Sequence, residues 1–194
     1  MLNLRAYEPD DAPALLALFR DTIRRVNARD YAPDQVRAWA SDDIDTAAWA
    51  GRFAGRFVVV AEEAGRPVGF AELEPGGHID RVYVSADHQR RGVGRALLED
   101  VVDEARRRGI ARLFVEASIT ARPFFESLGF AVLAPQVVSL RGTEFVNYRM
   151  ERALALSCTI EVPARRCGLW CHRVRSRRSG PWGWIVRRLF SSTT

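Results

Sequence analysis

Six consecutive residues, Gln89, Arg90, Arg91, Gly92, Val93 and Gly94, lie between a strand-like run and a helix-like one, and together they can hold a diphosphate. Residues 79–84 (IDRVYV) alternate apolar and polar side chains and favour β-branched and aromatic types, the pattern of a half-buried strand. After Gly94 the period changes. Val93, Ala96, Leu97, Val101 and Ala105 fall on one helical face, and Asp103/Arg107 and Glu104/Arg108 are acid-before-base pairs on the other. A helix start carries unpaired N–H groups and the positive end of the macrodipole, and glycine lets an anion reach that backbone. Arg90, Arg91 and Arg95 add guanidinium groups, which favour a ligand with several anionic oxygens.

Two common phosphate motifs are excluded. A dinucleotide fingerprint needs a third glycine where Leu97 stands, and a P-loop needs lysine, whereas every basic residue of this chain is arginine. The same absence rules out a lysine Schiff base. What remains is a QxxGxG loop between strand and helix, which resembles motif A of the GCN5-related N-acetyltransferases (GNAT), whose ligand is acetyl-CoA. Residues 113–117 (LFVEA) read as a buried strand, and residues 118–130 (SITARPFFESLGF) follow it. Phe124, Phe125, Glu126, Gly129 and Phe130 resemble the F-Y-E-x-x-G-F pattern that lies beside the CoA thiol in that family. Gly129 stands where a left-handed helix C-cap is expected. Residues 31–40 (YAPDQVRAWA) are similar to a signature of a YafP-like bacterial branch, and they also read as a helix begun by Pro33 with Val36, Trp39 and Ala40 on its core face.

The elements that must position these residues are legible in outline. Residues 2–7 form a candidate strand, and Asp10 or Asp11 can cap a helix running to about residue 26, with Leu15, Leu16, Leu18 and Phe19 apolar. Helical regions are expected over 33–40 and 46–56. Strands over 57–62 and 67–74 form a hairpin about Ala64 and Gly65, and a last hairpin joins 131–140 to 143–150 about Arg141 and Gly142. The resemblance spans residues 2–150. It implies an α/β (α+β) fold of the GNAT type, a mixed, mostly antiparallel sheet flanked by helices.

Charge divides the chain. Residues 1–150 hold 20 arginines and 22 acids, net −2, while residues 151–194 hold 9 arginines and 2 acids, net +7. The basic character is therefore a property of the tail and gives no ground for nucleic-acid binding by the core. An acetyltransferase domain is expected over 1–151, followed by a basic tail over 152–194 that carries tryptophans and all three cysteines and is expected to be poorly ordered. Cys167, Cys171 and His172 resemble part of a zinc site, but with Cys158 the spacing matches no familiar finger, and no metal is expected. The amino terminus lacks a basic and apolar leader, and no apolar run reaches the ~18 residues of a membrane span. A cytoplasmic location without membrane association is the expectation, and an exposed edge of the final hairpin suits homodimer pairing.

The resemblance implies direct transfer from acetyl-CoA to the amine of a small molecule or peptide, with no covalent enzyme intermediate. The chemistry needs a base for the amine, a donor for the tetrahedral oxyanion and a proton for the leaving sulfur. The family likeness places the oxyanion donor on the backbone near Tyr83 or Val84. It places CoA against Val82, Tyr83, Val84, Gln89, Arg90, Arg91, Gly92, Val93, Gly94, Arg95, Ser118 and Phe125. Candidate bases are Glu116, Asp80 and Tyr31, with His78 beside them; each also has a structural reading, as an ion-paired, solvated or loop residue. Ser118 can touch the pantetheine arm or cap the next helix, and Asp42, Asp43 and Asp45 can attract a cationic amine or do the same. Phe125 departs from the pattern, because relatives with Tyr there have a proton donor beside the thiol. A thiol pKa near 8.5 keeps thiolate a tolerable leaving group. The departure nonetheless supports an alternative, a non-catalytic acyl-CoA-binding module that reports acetyl-CoA to a partner.

Overall fold

The apolar strand Phe57–Glu63 is buried on both faces because helices cover it from each side. The structure, a computed structural model, describes residues 1–155, so the expectations for Cys158, Cys167, Cys171, His172 and the rest of the tail lie outside the described residues. Within this strand, β2, Val59 and Ala61 enter one core while Val58 and Val60 enter the other, as a period of two requires. It lies in a four-stranded antiparallel sheet with β1 (Leu2–Ala6), β3 (Arg66–Leu73) and β4 (Ile79–Val84), in the order β1-β2-β3-β4. Helix α1 (Ala12–Arg25) and the short α3 (Thr46–Gly51) cover one face with Leu15, Phe19, Ile23 and Trp49. Helix α4 (Val93–Arg107) covers the other with Leu97, Leu98, Val101 and Ala105.

A second antiparallel sheet, ordered β5-β7-β6, is built from β5 (Arg112–Ser118), β6 (Ala131–Leu140) and β7 (Thr143–Ala153). Helix α2 (Pro33–Trp39) packs Trp39 against Phe145 of β7, and α5 (Arg122–Ser127) follows β5. The two sheets meet at one place. His78 and Phe114 form a single parallel bridge, and the Phe114 N–H donates to the Gly77 carbonyl at 3.0 Å. Among the described residues no ladder continues from there between β4 and β5, so the two strands part and leave a wedge open toward Val84 and Ser118.

A register shift between Glu72 and Leu73, which face Arg81 and Ile79, leaves Asp80 as an extra residue in β4. The bulge brings Asp80 into the same buried cluster as its neighbour Arg81, where it pairs with Arg56 and lies 3.8 Å from Arg81.

Several elements differ from the sequence expectation. The third helix stops at Gly51 and gives way to three-residue turns through Arg56, because Gly51 and Gly55 interrupt propagation and Gly55 sits at φ 73°. Asp11 does not cap α1; its carboxylate accepts two bonds from Arg5, at 2.7 and 2.8 Å, and the Glu8 N–H at 2.9 Å. Arg107 pairs with Glu104 at 2.9 Å rather than with Asp103, while the Glu104–Arg108 pair forms at 2.5 Å. Strand β7 runs past the expected end at residue 150 to Ala153, because Arg112 pairs with Ala153 and Leu154 is buried, its N–H donating to Ala111 at 2.8 Å.

Gly77 makes the meeting of the sheets possible. Its φ is +90°, and a β-carbon there would overlap the Arg112 carbonyl oxygen. At Gly76 a β-carbon would meet nothing within 4 Å. Gly77→Ala is therefore expected to lower unfolding free energy by about 2–3 kcal/mol. Gly76→Ala should stay within about 0.5 kcal/mol of the parent. Urea titration of the two variants beside the parent protein checks the contrast.

Candidate active site

The loop between β4 and α4 is built to present backbone amides. Arg90 and Gly92 both adopt left-handed conformations, with φ 63° and 84°, and the chain around them curls into a concave run of N–H groups. The first intrahelical bond of α4 is from Ala96 to Gly92, at 3.0 Å. None of the N–H groups of residues 89–95 has an acceptor among the described residues. Arg90, Arg91 and Arg95 stand exposed around this run, which carries the positive end of the helix dipole. The Gln89 side chain turns away from that run, and its Nε2 donates to the Val84 carbonyl at 2.6 Å, tying the loop to the end of β4. Val93 is buried, so its side chain anchors the helix and only its backbone faces a ligand.

The wedge supplies the second part. The Ser85 N–H donates to Val68 of β3 at 2.8 Å, and the Tyr83 carbonyl also points to β3, beside Gly69. Successive residues of a strand aim their backbone groups at alternate edges, so Val82 and the Val84 N–H face the wedge, while the Val84 carbonyl is taken by Gln89 and by the Thr22 hydroxyl at 3.1 Å. On the far wall the Phe114 N–H faces β4, and Glu116 follows it on the same edge by the same alternation. An extended chain carrying amides can pair with these edges and lead to the loop that cradles a diphosphate. The two sequence motifs are in contact here, since a β-carbon at Gly94 would lie 3.2 Å from the Phe124 ring. Phe125 is buried, packed edge-on against Phe124 and Phe130 at 5.2 Å, and offers no proton.

The candidate bases have different surroundings. Tyr31 is buried; its hydroxyl donates to the Val146 carbonyl at 3.1 Å and accepts the Ile119 N–H at 2.9 Å, and burial pushes its pKa up. It is a joint between α2, β5 and β7 at the rim of the wedge. Asp80 is buried against Arg56, with Arg52 at 3.5 Å and Arg81 at 3.8 Å. Burial raises its pKa, but the three arginines outweigh burial and hold it below the ordinary carboxylate value, so it is a weak base. Glu116 lies 2.6 Å from Nε2 of His78, whose Nδ1 lies 3.2 Å from Glu74 and whose ring stacks on Phe114. Ser118 accepts the Ala121 N–H at 3.1 Å and so caps the turn before α5; Asp45 likewise caps α3 by accepting from Ala48 at 2.6 Å, and Asp42 pairs with Arg24 at 2.6 Å.

A buried ionic cluster was not read from the sequence. Glu72 is fully buried and accepts from Arg81 at 2.7 Å and Arg56 at 3.0 Å, while Arg81 stacks over the Trp49 ring at 4.6 Å. The one signal was an acid inside the otherwise apolar run VGFAEL. Among the described residues no group of three or more His, Cys, Asp or Glu is placed to hold a metal ion, and no helix is long and apolar enough to cross a membrane.

Comparison with known proteins agrees with this geometry. A family profile described as an acetyltransferase (GNAT) domain matches residues 27–152. The chain is 37% identical over 150 residues to the uncharacterized N-acetyltransferase YafP of Escherichia coli K12, covering 77% of this chain and 94% of that one. It superposes with a TM-score of 0.76 on a GCN5-related N-acetyltransferase from Rhodopseudomonas palustris, at 38% identity, covering 78% and 95% of the two chains. It also superposes with a TM-score of 0.61 on yncA of Salmonella typhimurium, solved with its cofactor acetyl-CoA, at 26% identity and 80% and 95% coverage.

The His78 interactions fix a sign for pH dependence. Burial disfavours its charged form, but the Glu116 hydrogen bond and the charges of Glu116, Asp80 and Glu74 outweigh burial, so the folded-state pKa lies above the ordinary histidine value. The contribution of the charged pair to stability is then complete below the unfolded value of about 6.5 and disappears as pH rises through the higher folded value. The stability difference between the parent and His78→Gln is expected to be larger at about pH 6 than at about pH 9. Denaturant titrations at those two pH values measure it, and a difference that grows with pH would contradict the assignment.

Proposed function

The chain belongs to the GNAT family of acetyltransferases, and from that premise we propose that it transfers the acetyl group of acetyl-CoA directly to the amine of a small molecule or peptide, with Glu116 as the base. The observation that carries this reading is the placement of the Glu116–His78 pair on the wall of a wedge that ends in the amide-lined loop. Acetyl-CoA, the co-substrate, lies with its diphosphate on the amides of residues 89–95 and its pantetheine arm along the free edge of β4.

The neutral amine attacks the thioester carbonyl carbon, and a carbon–nitrogen bond forms as the oxygen becomes an oxyanion. The N–H of Val84 is the donor best directed toward that oxygen, since Tyr83 turns its backbone to β3. The carbon–sulfur bond then breaks. The proton lost from nitrogen passes to Glu116, directly or through water, while the His78 imidazole, held between Glu116 and Glu74, keeps that carboxylate in place. Thiolate takes a proton from solvent, because Phe125 has none to give. A carboxylate held by an imidazole on the wedge wall favours catalysis over the binding-only module that Phe125 suggested.

Thiol release from acetyl-CoA, measured with a panel of amines, tests the reading. Glu116→Gln is expected to lower kcat by about 10²–10⁴-fold. Calorimetry should find acetyl-CoA affinity changed by less than about threefold, since no CoA contact is removed. Parent-like turnover by Glu116→Gln would remove Glu116 from the mechanism, and tight CoA binding without amine-stimulated release by the parent would restore the binding module.

A further inference from the structure

The wedge-side face of the second sheet carries polar rows that the transfer step does not use. Register sets Glu116 of β5 beside Arg149 of β7 and Ala134 of β6 in one row, and Ser118 beside Asn147 and Gln136 in the next. Directly paired residues of antiparallel strands share a face, so Arg149, Asn147 and Gln136 line the floor next to the proposed base. Arg149 is exposed and forms no ion pair among the described residues, because Glu116 is turned to His78 instead. Asn147 Oδ1, an acceptor, is buried without a hydrogen-bond partner among the described residues. Ala134 is too small to cover the guanidinium next to it.

We propose that the acceptor is an amine carrying a carboxylate close to it, an amino-acid-like zwitterion, with the carboxylate on Arg149 and the amine facing Glu116 and the unpaired Asn147 Oδ1. The inference rests on the acetyl-transfer reading for the role of Glu116. A carboxylate and a guanidinium on paired positions have β-carbons about 5 Å apart. One small zwitterion can satisfy both. Guanidinium offers a planar fork of donors that fits a carboxylate with two parallel bonds. A simple alkylamine leaves Arg149 facing water and gains nothing from it, and a polyamine meets a like charge there. The neighbouring acid Glu151 is paired with Arg112 at 2.8 Å and does not compete for Arg149.

The test separates acceptor binding from chemistry. Binding of the twenty L-amino acids and of the matching amino-acid amides is measured by calorimetry on the full-length CoA complex, which cannot turn over. For at least one side chain the acid is expected to bind about 10–100-fold more tightly than its amide, the range of a charge-assisted pair. Arg149→Gln should bring that ratio to near one, and Arg149→Lys, which keeps charge but loses the fork, should fall between. Retained CoA binding by each variant establishes that it is folded. Equal binding of acid and amide by the parent, or an unchanged ratio in Arg149→Gln, overturns the proposal. Thiol release on the same panel judges the acetyl-transfer reading separately: acid-selective binding without release would leave the carboxylate site standing and remove the catalytic reading.

Discussion

One contact between two sheets governs the rest of the molecule. Phe114 reaches β4 only at the Gly77 carbonyl and the His78 bridge, and the strands separate beyond it. Were the ladder to continue, the edges of Val82, Val84 and Glu116 would pair with each other and no ligand could enter. Because it stops, backbone groups such as the Val84 N–H are left to the wedge, although the Val84 carbonyl is taken by Gln89 and Thr22. Such groups weigh against the empty protein, and a ligand with amides of its own can satisfy them. The same contact holds His78 flat on Phe114, which puts its ring against Glu116. The architectural joint and the acid–base pair thus use the same residues.

The bulge next to that joint explains the buried charges. Glu72, Arg81, Asp80 and Arg56 come together beside Trp49, and isolated charges buried there would be prohibitive. Together they close on each other: Glu72 takes Arg56 and Arg81, Asp80 shares both and adds Arg52, and Arg81 rests on Trp49. Replacing one member would strand its partners, so the cluster acts as a single rigid floor. Its internal pairing also removes Asp80 from proton chemistry at neutral pH, because three cations stabilise its ionised form.

The parts legible in sequence were those set by local pattern. The period change at Gly94, the glycines of the two tight hairpins and the left-handed Gly129 depend on near neighbours, and the fold shows each. The early apolar helix and the β2 run were readable for the same reason. What escaped depends on distant partners. Tyr31 reads as a candidate base until Ile119 and Val146, far along the chain, occupy its hydroxyl. His78 reads as a loop residue after two glycines until β5 brings Glu116 to it. Gln89 belongs to the motif, yet its side chain serves the loop and leaves the ligand to the backbone. The polar rows around Arg149 exist only once β6 and β7 fix their register, a one-residue slip of which would turn them to the other face.

Phe125 then has a consequence for how protons move. In the proposed transfer the buried phenyl of Phe125 lies on the thiol side and the Glu116–His78 pair on the amine side. There the acceptor's proton goes to Glu116, which His78 holds beside the partly exposed Glu74. The sulfur must obtain its proton independently, from water. The two transfers are therefore uncoupled in space, and the thiol end works only if solvent reaches it. A tyrosine at that position would link departure of sulfur to an enzyme group; here departure depends on the low basicity of thiolate itself.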